Sequence, residues 1–252
     1  MLMIFSASFF DIFQRKKAAQ AENTPAPSYT EIKPISVDDL FPFPYRELET
    51  GLTDEQLIAE WKDAFKEGVH PLIIQQDEQL MNALSTAEKP LPQDTDKSFI
   101  REEYLAVIED FLLDEESAPF IGREDDYGEP MTHLFTAWDN RKEPFLLLSV
   151  PAERPWGVFR YVPFGGWNGC PDADKIADFC QMMHEDWDAV PLMMMGDTLV
   201  LLPGRIPTRK EAYDLALMTW PFCPDLILQE YGSVHALADA LCRSSLWRFR
   251  WD

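Results

Sequence analysis

Two apolar runs, residues 190–195 and 198–203, are separated only by Gly196-Asp197, and this feature constrains the fold most strongly. Gly-Asp is a tight-turn dipeptide, so the runs predict two strands joined by a short turn. Residues 157–164 alternate in character and predict an earlier strand, and the closing residues WRFRWD predict a last one. The second part of the chain is therefore expected to supply the strands of a sheet.

Helices are predicted between these strands. Residues 171–187 predict one helix, and residues 208–218 predict another, because Thr208 and Glu211 have the spacing of a capping box. Ser233 is expected to cap a last helix that ends at Arg243. The order from residue 157 is then β-α-β-β-α-α-β, the split β-α-β pattern of ferredoxin-like folds with one extra helix. We expect an α+β fold with the helices packed on one sheet face.

The region before this sheet predicts a smaller α/β segment. Thr53 and Gln56 form another capping box at the start of a helix over residues 53–66, and Leu57, Trp61 and Phe65 recur on its core side. The sequence HPLIIQ at residues 70–75 predicts a buried strand, and residues 78–85 predict a short helix. Further elements are a helix over residues 101–113, with Tyr104, Ile108, Phe111 and Leu112 on one side, and a hairpin of residues 133–138 with residues 144–151.

Three regions follow from these patterns: residues 1–34, residues 35–130 and residues 131–252. The first begins with an apolar run of about ten residues, too short to span a bilayer, and continues into Arg15-Lys16-Lys17. It predicts a short amphipathic helix that packs on the domain or on a partner, with membrane-surface binding as the alternative. Residues 18–34 are polar and contain three prolines, which predicts a linker.

The chain is strongly acidic. Its 252 residues include 22 basic and 44 acidic ones, a formal net charge of −22. Such a chain repels nucleic-acid phosphates and attracts basic proteins or cations, although acidity also serves solubility alone. The candidate partner surface lies within residues 102–129 and consists of Glu109, Asp110, Asp114, Glu115, Glu116, Glu124, Asp125 and Asp126. No Asp-x-Asp-x-Asp-Gly loop is present there, so a calcium site is not expected.

The four cysteines do not form a disulfide framework, and none belongs to a Cys-x-x-Cys pair, which fits a reducing cytoplasm. Cys170 and Cys223 each begin a Cys-Pro-Asp sequence. In the first, Asn168 or Cys170 is expected at the N-cap of a helix and Pro171 at its first position. In the second, Asp225 is expected to cap a short turn through Leu228 after a helix ends.

A functional interpretation of the same residues is also open. They would converge on a pocket in which Asn168 orients a ligand, Cys170 attacks with a lowered thiol pKa, and a carboxylate assists. The candidate cluster is Trp167, Asn168, Cys170, Asp172, Asp225, Trp251 and Asp252. The histidines are scattered singly and give no metal-ligand spacing, so neither a metal nor a cofactor is predicted.

The motifs in this half resemble a known bacterial family in order and spacing. They are Pro155-Trp156, PFGGWNGCP from residue 163, Gly196-Asp197-Thr198-Leu199, FCPD from residue 222 and the closing WRFRWD. The family is called domain of unknown function 4253, and the resemblance covers residues 144–252. Members usually carry aromatic residues at the positions of Arg248 and Arg250, whose guanidinium groups are expected here to pair with carboxylates or to stack. The resemblance implies a fold unit and a set of motifs, not a reaction.

Two function classes are therefore expected, with a structural subunit as a third. The first is a cytoplasmic acidic binding protein without a transmembrane segment, in its most specific form an immunity protein that neutralises a basic toxin domain. That form rests on analogy with other compact acidic bacterial domains. The alternative is an enzyme or small-ligand protein that uses the Trp-Asn-Cys-Asp cluster.

Overall fold

One mixed sheet of six strands organises the protein. The computed structural model describes residues 36–87, 97–136 and 143–251. In it the sheet has the strand order β1-β3-β2-β4-β5-β6. The strands are β1 Tyr45–Leu48, β2 His70–Gln75, β3 Phe145–Val150, β4 Val190–Met195, β5 Thr198–Leu202 and β6 Trp247–Arg250. Neighbours pair antiparallel except β2 with β4, which run parallel.

The predicted turn at Gly196-Asp197 joins β4 to β5, and Met195 pairs with Thr198 directly beside it. The register of this pair shifts between Pro191 and Met193. Leu192 and Met193, although adjacent, consequently both pack on the same side of the sheet, as a bulge allows. The three consecutive methionines of β4 are all buried, so they fill the core on both faces.

Eight α-helices lie in the described residues, and the capping residues inferred from sequence define several of their ends. Both capping boxes are present, at Thr53 with Gln56 and at Thr208 with Glu211, and the Ser233 side chain accepts from the Ala236 amide. The helices are α1 Val37–Leu40, α2 Asp54–Asp63, α3 Glu78–Thr86, α4 Lys97–Leu113, α5 Ala118–Ile121, α6 Ala173–Trp187, α7 Arg209–Thr219 and α8 Val234–Leu241. None of these described helices has the length and apolar character needed to cross a bilayer.

Both faces of the sheet are covered, so the expectation of helices on one face is wrong. Leu146 and Leu148 of β3 belong to the larger apolar cluster, which includes residues of α3, α4, α6, α7 and α8. Phe145 and Leu147 face the opposite side, where Leu57 and Trp61 of α2 cover them. Apolar side chains on both faces of the central strands require this second cover, because exposing either face would leave a large apolar patch.

Two predicted strands are wrong. Residues 157–164 belong to a 3₁₀ helix over Pro155–Arg160 and the loop after it. The buried side chains Val158, Phe159 and Val162 recur at helical rather than alternating spacing. Residues 133–136 form no strand either; the Leu134 amide donates to Asp54 Oδ2 at 3.0 Å, and Leu134 and Phe135 pack beside α2. The rest of that predicted strand lies outside the described residues.

The ferredoxin-like arrangement is not confirmed. Without a strand at residues 157–164 the split β-α-β unit lacks its first strand, and β6 lies beside β5 at the sheet edge. The sheet instead combines β1 and β2 from residues 35–130 with β3 to β6 from residues 131–252, and β3 lies between β1 and β2. The predicted N-terminal helix and linker of residues 1–34 lie outside the described residues.

Candidate functional site

The first Cys-Pro-Asp motif closes a tight loop ahead of α6. The Gly166 amide donates to the carbonyl oxygens of both Cys170 and Pro171, at 3.2 and 3.0 Å. A side chain at Gly165 would place its Cβ 2.1 Å from the Pro171 carbonyl oxygen, so only glycine fits there. This loop is held by its own backbone, and its conformation requires glycine.

The helix after this loop begins later than expected. Asn168 has φ 49°, in the left-handed region, and the N-cap of α6 is Asp172. The assignment of the N-cap to Asn168 or Cys170 and of the first helical position to Pro171 is therefore wrong. The reason is that the loop's hydrogen bonds use the backbone through Pro171, so the helical conformation starts only after it.

The thiol of Cys170 is buried in this loop. Burial raises its pKa well above the ordinary value; a hydrogen bond from the Gly166 backbone opposes that shift, and the Asp172 and Asp197 carboxylates add to it. A nucleophilic cysteine requires the opposite shift, so the expected lowering of the Cys170 pKa is contradicted. Protonated and inaccessible, this thiol behaves as a small apolar side chain.

The second motif is tied to the closing strand. The Cys223 thiol donates to the Arg250 carbonyl oxygen at 3.1 Å, and Trp251 donates from Nε1 to the Phe222 carbonyl oxygen at 3.2 Å. The pKa of Cys223 is raised, first by burial and then by the charge of Asp225, with a smaller contribution from Cys170. The cysteines of the two Cys-Pro-Asp motifs thus belong to the same buried apolar cluster.

The turn at Gly196-Asp197 completes this arrangement. The Trp251 amide donates to the Asp197 carbonyl oxygen at 3.2 Å, and Arg250 Nε lies 3.7 Å from Asp197 Oδ1. The expectation that arginine in the closing strand pairs with a carboxylate is therefore confirmed for Arg250. Arg248 donates from Nη1 to the His133 carbonyl oxygen at 2.7 Å and from its amide to Met131 Sδ at 3.1 Å, which ties β6 to this earlier segment.

Aromatic rings fill the space between the motifs. Trp251 contacts Phe164 and Phe222, with ring centroids 6.2 and 5.3 Å apart, and Trp167 packs edge-on against Phe164 at 5.1 Å. Phe222 stacks on Phe179 of α6 at 3.6 Å, with an angle of 8° between the rings. We call the side chains of Phe164, Cys170, Phe179, Phe222, Cys223 and Trp251 the aromatic–cysteine core; all six are buried.

The remaining residues of the predicted Trp-Asn-Cys-Asp cluster do not converge on one pocket. Asn168 and Asp172 are exposed, whereas Asp225 is buried and accepts from Gln229 Nε2 at 2.8 Å. Asp225 is the N-cap residue of a π-helix, Leu226–Tyr231, which confirms its predicted position, but its side chain makes no capping hydrogen bond. Asp252 lies outside the described residues. No three His, Cys, Asp or Glu side chains within the described ranges are grouped so as to hold a metal ion.

The flanks of both motifs do share one cleft. Pro171 and Pro221 line it from one side, and α4 lines it from the other with Tyr104 and Val107. Its volume is about 400 Å³, and Glu103, Lys175 and Asp178 add charged groups to an apolar floor. Motif reasoning missed this cleft, because its α4 wall comes from residues that lie about seventy positions earlier in the chain.

The acidic surface divides into two kinds of carboxylate. Asp114 and Asp126 have local structural roles, since Asp114 accepts from the Glu116 amide and Asp126 from Ser233 Oγ at 2.9 Å. The pKa of Asp126 is lowered chiefly by its hydrogen bond from the Arg123 backbone. The other candidates are exposed: Glu109, Asp110, Glu115, Glu116, Glu124 and Asp125.

Part of this surface borders an open groove of about 1000 Å³ beside α7 and α8. Glu124 and Asp125 line it together with Arg209, Lys210 and Asp239. Arg209 donates to the Glu124 carbonyl oxygen at 2.9 Å and lies 3.8 Å from Asp239. The groove therefore carries both signs of charge.

On α4, exposed leucines alternate with glutamates. Glu102, Leu105, Glu109, Leu112 and Leu113 are all exposed, and their spacing places them along one helical stripe. We call these five residues the leucine–glutamate strip. Leu113 is 75% exposed and Leu105 is 55% exposed, although both are large apolar side chains. The assignment of Leu112 to the buried side is wrong, because the buried side is already filled by Ile100, Ile108 and Phe111.

These features define a mixed α/β protein in which the cysteines of both Cys-Pro-Asp motifs are buried, whereas α4 exposes leucines and glutamates. Residues 146–252 match the sequence model of a family described as Domain of unknown function (DUF4253). The match confirms the resemblance expected for residues 144–252 and leaves the leucine–glutamate strip outside the matched residues. No curated protein matches the chain, and no solved structure matches it.

Proposed function

We propose that the protein binds a basic protein partner through the leucine–glutamate strip of α4. The observation that carries this proposal is the combination of exposed leucines and exposed glutamates on one helical stripe. Large apolar side chains supply contact area at the centre of an interface, and the surrounding carboxylates select a partner of positive charge. Neither feature belongs to the buried core of the described residues, since both face away from it.

The electrostatics of the strip support a basic rather than a neutral partner. Within the described residues, no ion pair involves Glu102 or Glu109. Their charges therefore add to the field of a chain with a formal charge of −22, and this field steers a basic protein towards α4. Arg101 holds the helix in place through Asp186, with 2.6 Å between Nη2 and Oδ2.

The alternative, an enzyme that uses Cys170, has less support. Its proposed nucleophile is buried and has a raised pKa, whereas the cluster members Asn168 and Asp172 are exposed. We therefore favour binding over catalysis. All four cysteines are free thiols, which supports our further proposal that the protein acts in the cytoplasm.

In its most specific form, the proposal is that the partner is a toxin domain and that binding neutralises it. This form rests on the acidic surface and on the analogy with compact acidic domains that act as immunity proteins. Co-expression tests it directly: the intact chain should restore growth to cells that produce the basic toxin domain, and the variant Glu102→Lys/Glu109→Lys should not.

The binding proposal itself is tested by capture from a lysate of the native host with three immobilised full-length chains. One carries no substitution, one carries Glu102→Lys/Glu109→Lys, and the control carries Glu49→Lys/Glu67→Lys. Both variants change the net charge by the same amount, and all four glutamates are exposed. A basic protein captured by the unsubstituted chain and by the control, but lost from the strip variant, supports the proposal.

Kinetics with the captured protein provide the second measurement. The association rate should fall about tenfold or more as ionic strength rises, because salt screens the steering field. Equal capture by all three chains, or an association rate that does not change with salt, contradicts a partner site on the strip.

A further inference from the structure

Among the described residues, none covers the leucine–glutamate strip, and the chain itself contains a segment of complementary chemistry. Residues 1–17, MLMIFSASFFDIFQRKK, combine eight large apolar residues after Met1 with Arg15, Lys16 and Lys17 and a single acidic residue, Asp11. They lie outside the described residues. The strip offers the matching pattern of apolar leucines beside glutamates without ion pairs in the described residues.

We propose that residues 1–17 dock on the leucine–glutamate strip of α4 of the same chain and shield it until a basic partner displaces them. The consequence for the partner rests on the function proposed above, but the docking itself does not depend on it. The apolar residues of the segment would cover Leu105, Leu112 and Leu113. The basic residues that end the segment would pair with Glu102 and Glu109.

The connection between the segment and the domain is long enough. Residues 18–35 separate the segment from the first described residue, Ser36. Eighteen residues reach about 60 Å when extended and about 23 Å on average as a flexible chain. A domain of this size has a radius of gyration of about 17 Å, so α4 lies within range of the tether. Such a tether also keeps the segment at an effective concentration on the order of millimolar near the strip.

Other occupants of the strip are less favoured by the charges. A second copy of the same surface would bring the glutamates of one chain against those of the other, which like charges oppose. A membrane surface that carries anionic lipids would be repelled by the strip, although it would attract residues 15–17. A segment with both apolar and basic residues can cover the leucines and pair with the glutamates. Residues 1–17 of the same chain have this composition.

Photo-cross-linking in the full chain tests the docking. The photoreactive residue p-benzoylphenylalanine is incorporated at position 9 in place of Phe9, and cross-linked peptides are identified by mass spectrometry after irradiation. We expect cross-links to the peptide of α4 that contains Leu105, Leu112 and Leu113, within monomers. Mixing isotope-labelled with unlabelled protein distinguishes these from cross-links between chains.

Charge exchange gives the matched controls. The yield of this cross-link should fall about tenfold, which corresponds to about 1.4 kcal/mol, with Lys16→Glu/Lys17→Glu and also with Glu102→Lys/Glu109→Lys. Combining the four substitutions should restore most of the yield, because the pairing is then re-formed with reversed signs. The variant Glu49→Lys/Glu67→Lys has the same charge change as the strip variant and should leave the yield unaltered.

Three results would overturn the docking: cross-links mainly between chains, cross-links only to other surfaces of the domain, or a yield that the charge exchange does not restore. Absence of the cross-link to α4 in buffer, together with binding of the unsubstituted chain but not of Lys16→Glu/Lys17→Glu to vesicles that contain anionic lipid, would assign the segment to membranes instead. The docking can be present even if no host protein binds the strip, so failure of the proposed partner is distinguishable from failure of this inference.

Discussion

The aromatic–cysteine core and the leucine–glutamate strip both contain large apolar side chains, yet they differ in what they offer a partner. The core contains the motifs that recur in sequence, and all of its apolar side chains and thiols are buried. The strip has no recurrent motif, but it exposes three leucines and two glutamates. The most recognisable part of this sequence therefore forms a core, whereas the exposed leucines of α4 lie outside the family match.

The largest expected difference between the two regions is in stability. Phe222→Ala removes a fully buried ring that stacks on Phe179 at 3.6 Å, and should lower the free energy of unfolding by about 3–5 kcal/mol. Leu113→Ala truncates a side chain that is 75% exposed and should change the free energy of unfolding by less than about 0.5 kcal/mol. Chemical denaturation measures both values, and equal effects would remove the distinction between core and strip.

The second expected effect is that the free energy of unfolding depends on pH because of a buried histidine. His70 of β2 is buried and donates from Nε2 to the Pro191 carbonyl oxygen at 2.9 Å. Desolvation lowers its pKa from 6.5 to about 4. The unfolded chain therefore binds a proton at this histidine at a higher pH than the folded chain, and stability should fall as the pH decreases from about 6.5 to about 4.

Between pH 6.5 and pH 4 the free energy of unfolding should fall by up to about 3 kcal/mol, since each unit of pKa difference corresponds to about 1.4 kcal/mol. His70→Gln keeps a side-chain donor but cannot titrate, so its unfolding free energy should vary less over the same pH range. His235→Gln, at a half-buried position on α8, is the control and should keep the dependence of the unsubstituted protein. Denaturation series at pH 6.5, 5.5 and 4.5 make the comparison.

Thiol labelling provides a third, smaller contrast. Cys242 is partly exposed, whereas Cys170, Cys180 and Cys223 are buried and have raised pKa values. Iodoacetamide at pH 7.5 should modify Cys242 at least about tenfold faster than Cys170, equivalent to about 1.4 kcal/mol of protection. Mass spectrometry of digested protein gives the rates. Preferential labelling of Cys170, above all at pH 6, would return the loop to consideration as a reactive site.

The smallest expected effect concerns the strip itself. Glu102→Lys/Glu109→Lys should change the free energy of unfolding by no more than about 0.5 kcal/mol, because both residues are exposed and lysine is a good helix former. Partner binding, by contrast, should be lost in the same variant. A loss of several kcal/mol in stability would mean that these glutamates belong to the fold and not to an interface.

Sequence patterns predicted the helix starts well, because capping depends on residues three apart. Thr53, Thr208 and Ser233 each accept a hydrogen bond from the third amide of the following helix. The N-cap predicted from sequence at Asn168 or Cys170 was wrong. There, hydrogen bonds from the Gly166 amide across the loop engage the Cys170 and Pro171 carbonyl oxygens, and the helix begins only after Asp172. The sequence pattern also failed at residues 157–164, whose alternation in sequence is unrelated to which side chains are buried.

The sequence by itself determined the net charge, the helix caps, the β4–β5 turn and the match of residues 146–252 to a family model. Each of these depends on composition or on residues near one another in the chain. Only the tertiary structure decided that the sheet is covered on both faces, that the two Cys-Pro-Asp motifs meet in one core, and that Leu105 and Leu112 remain exposed. These outcomes depend on which distant elements pack together, and burial then sets the pKa of every thiol in the core.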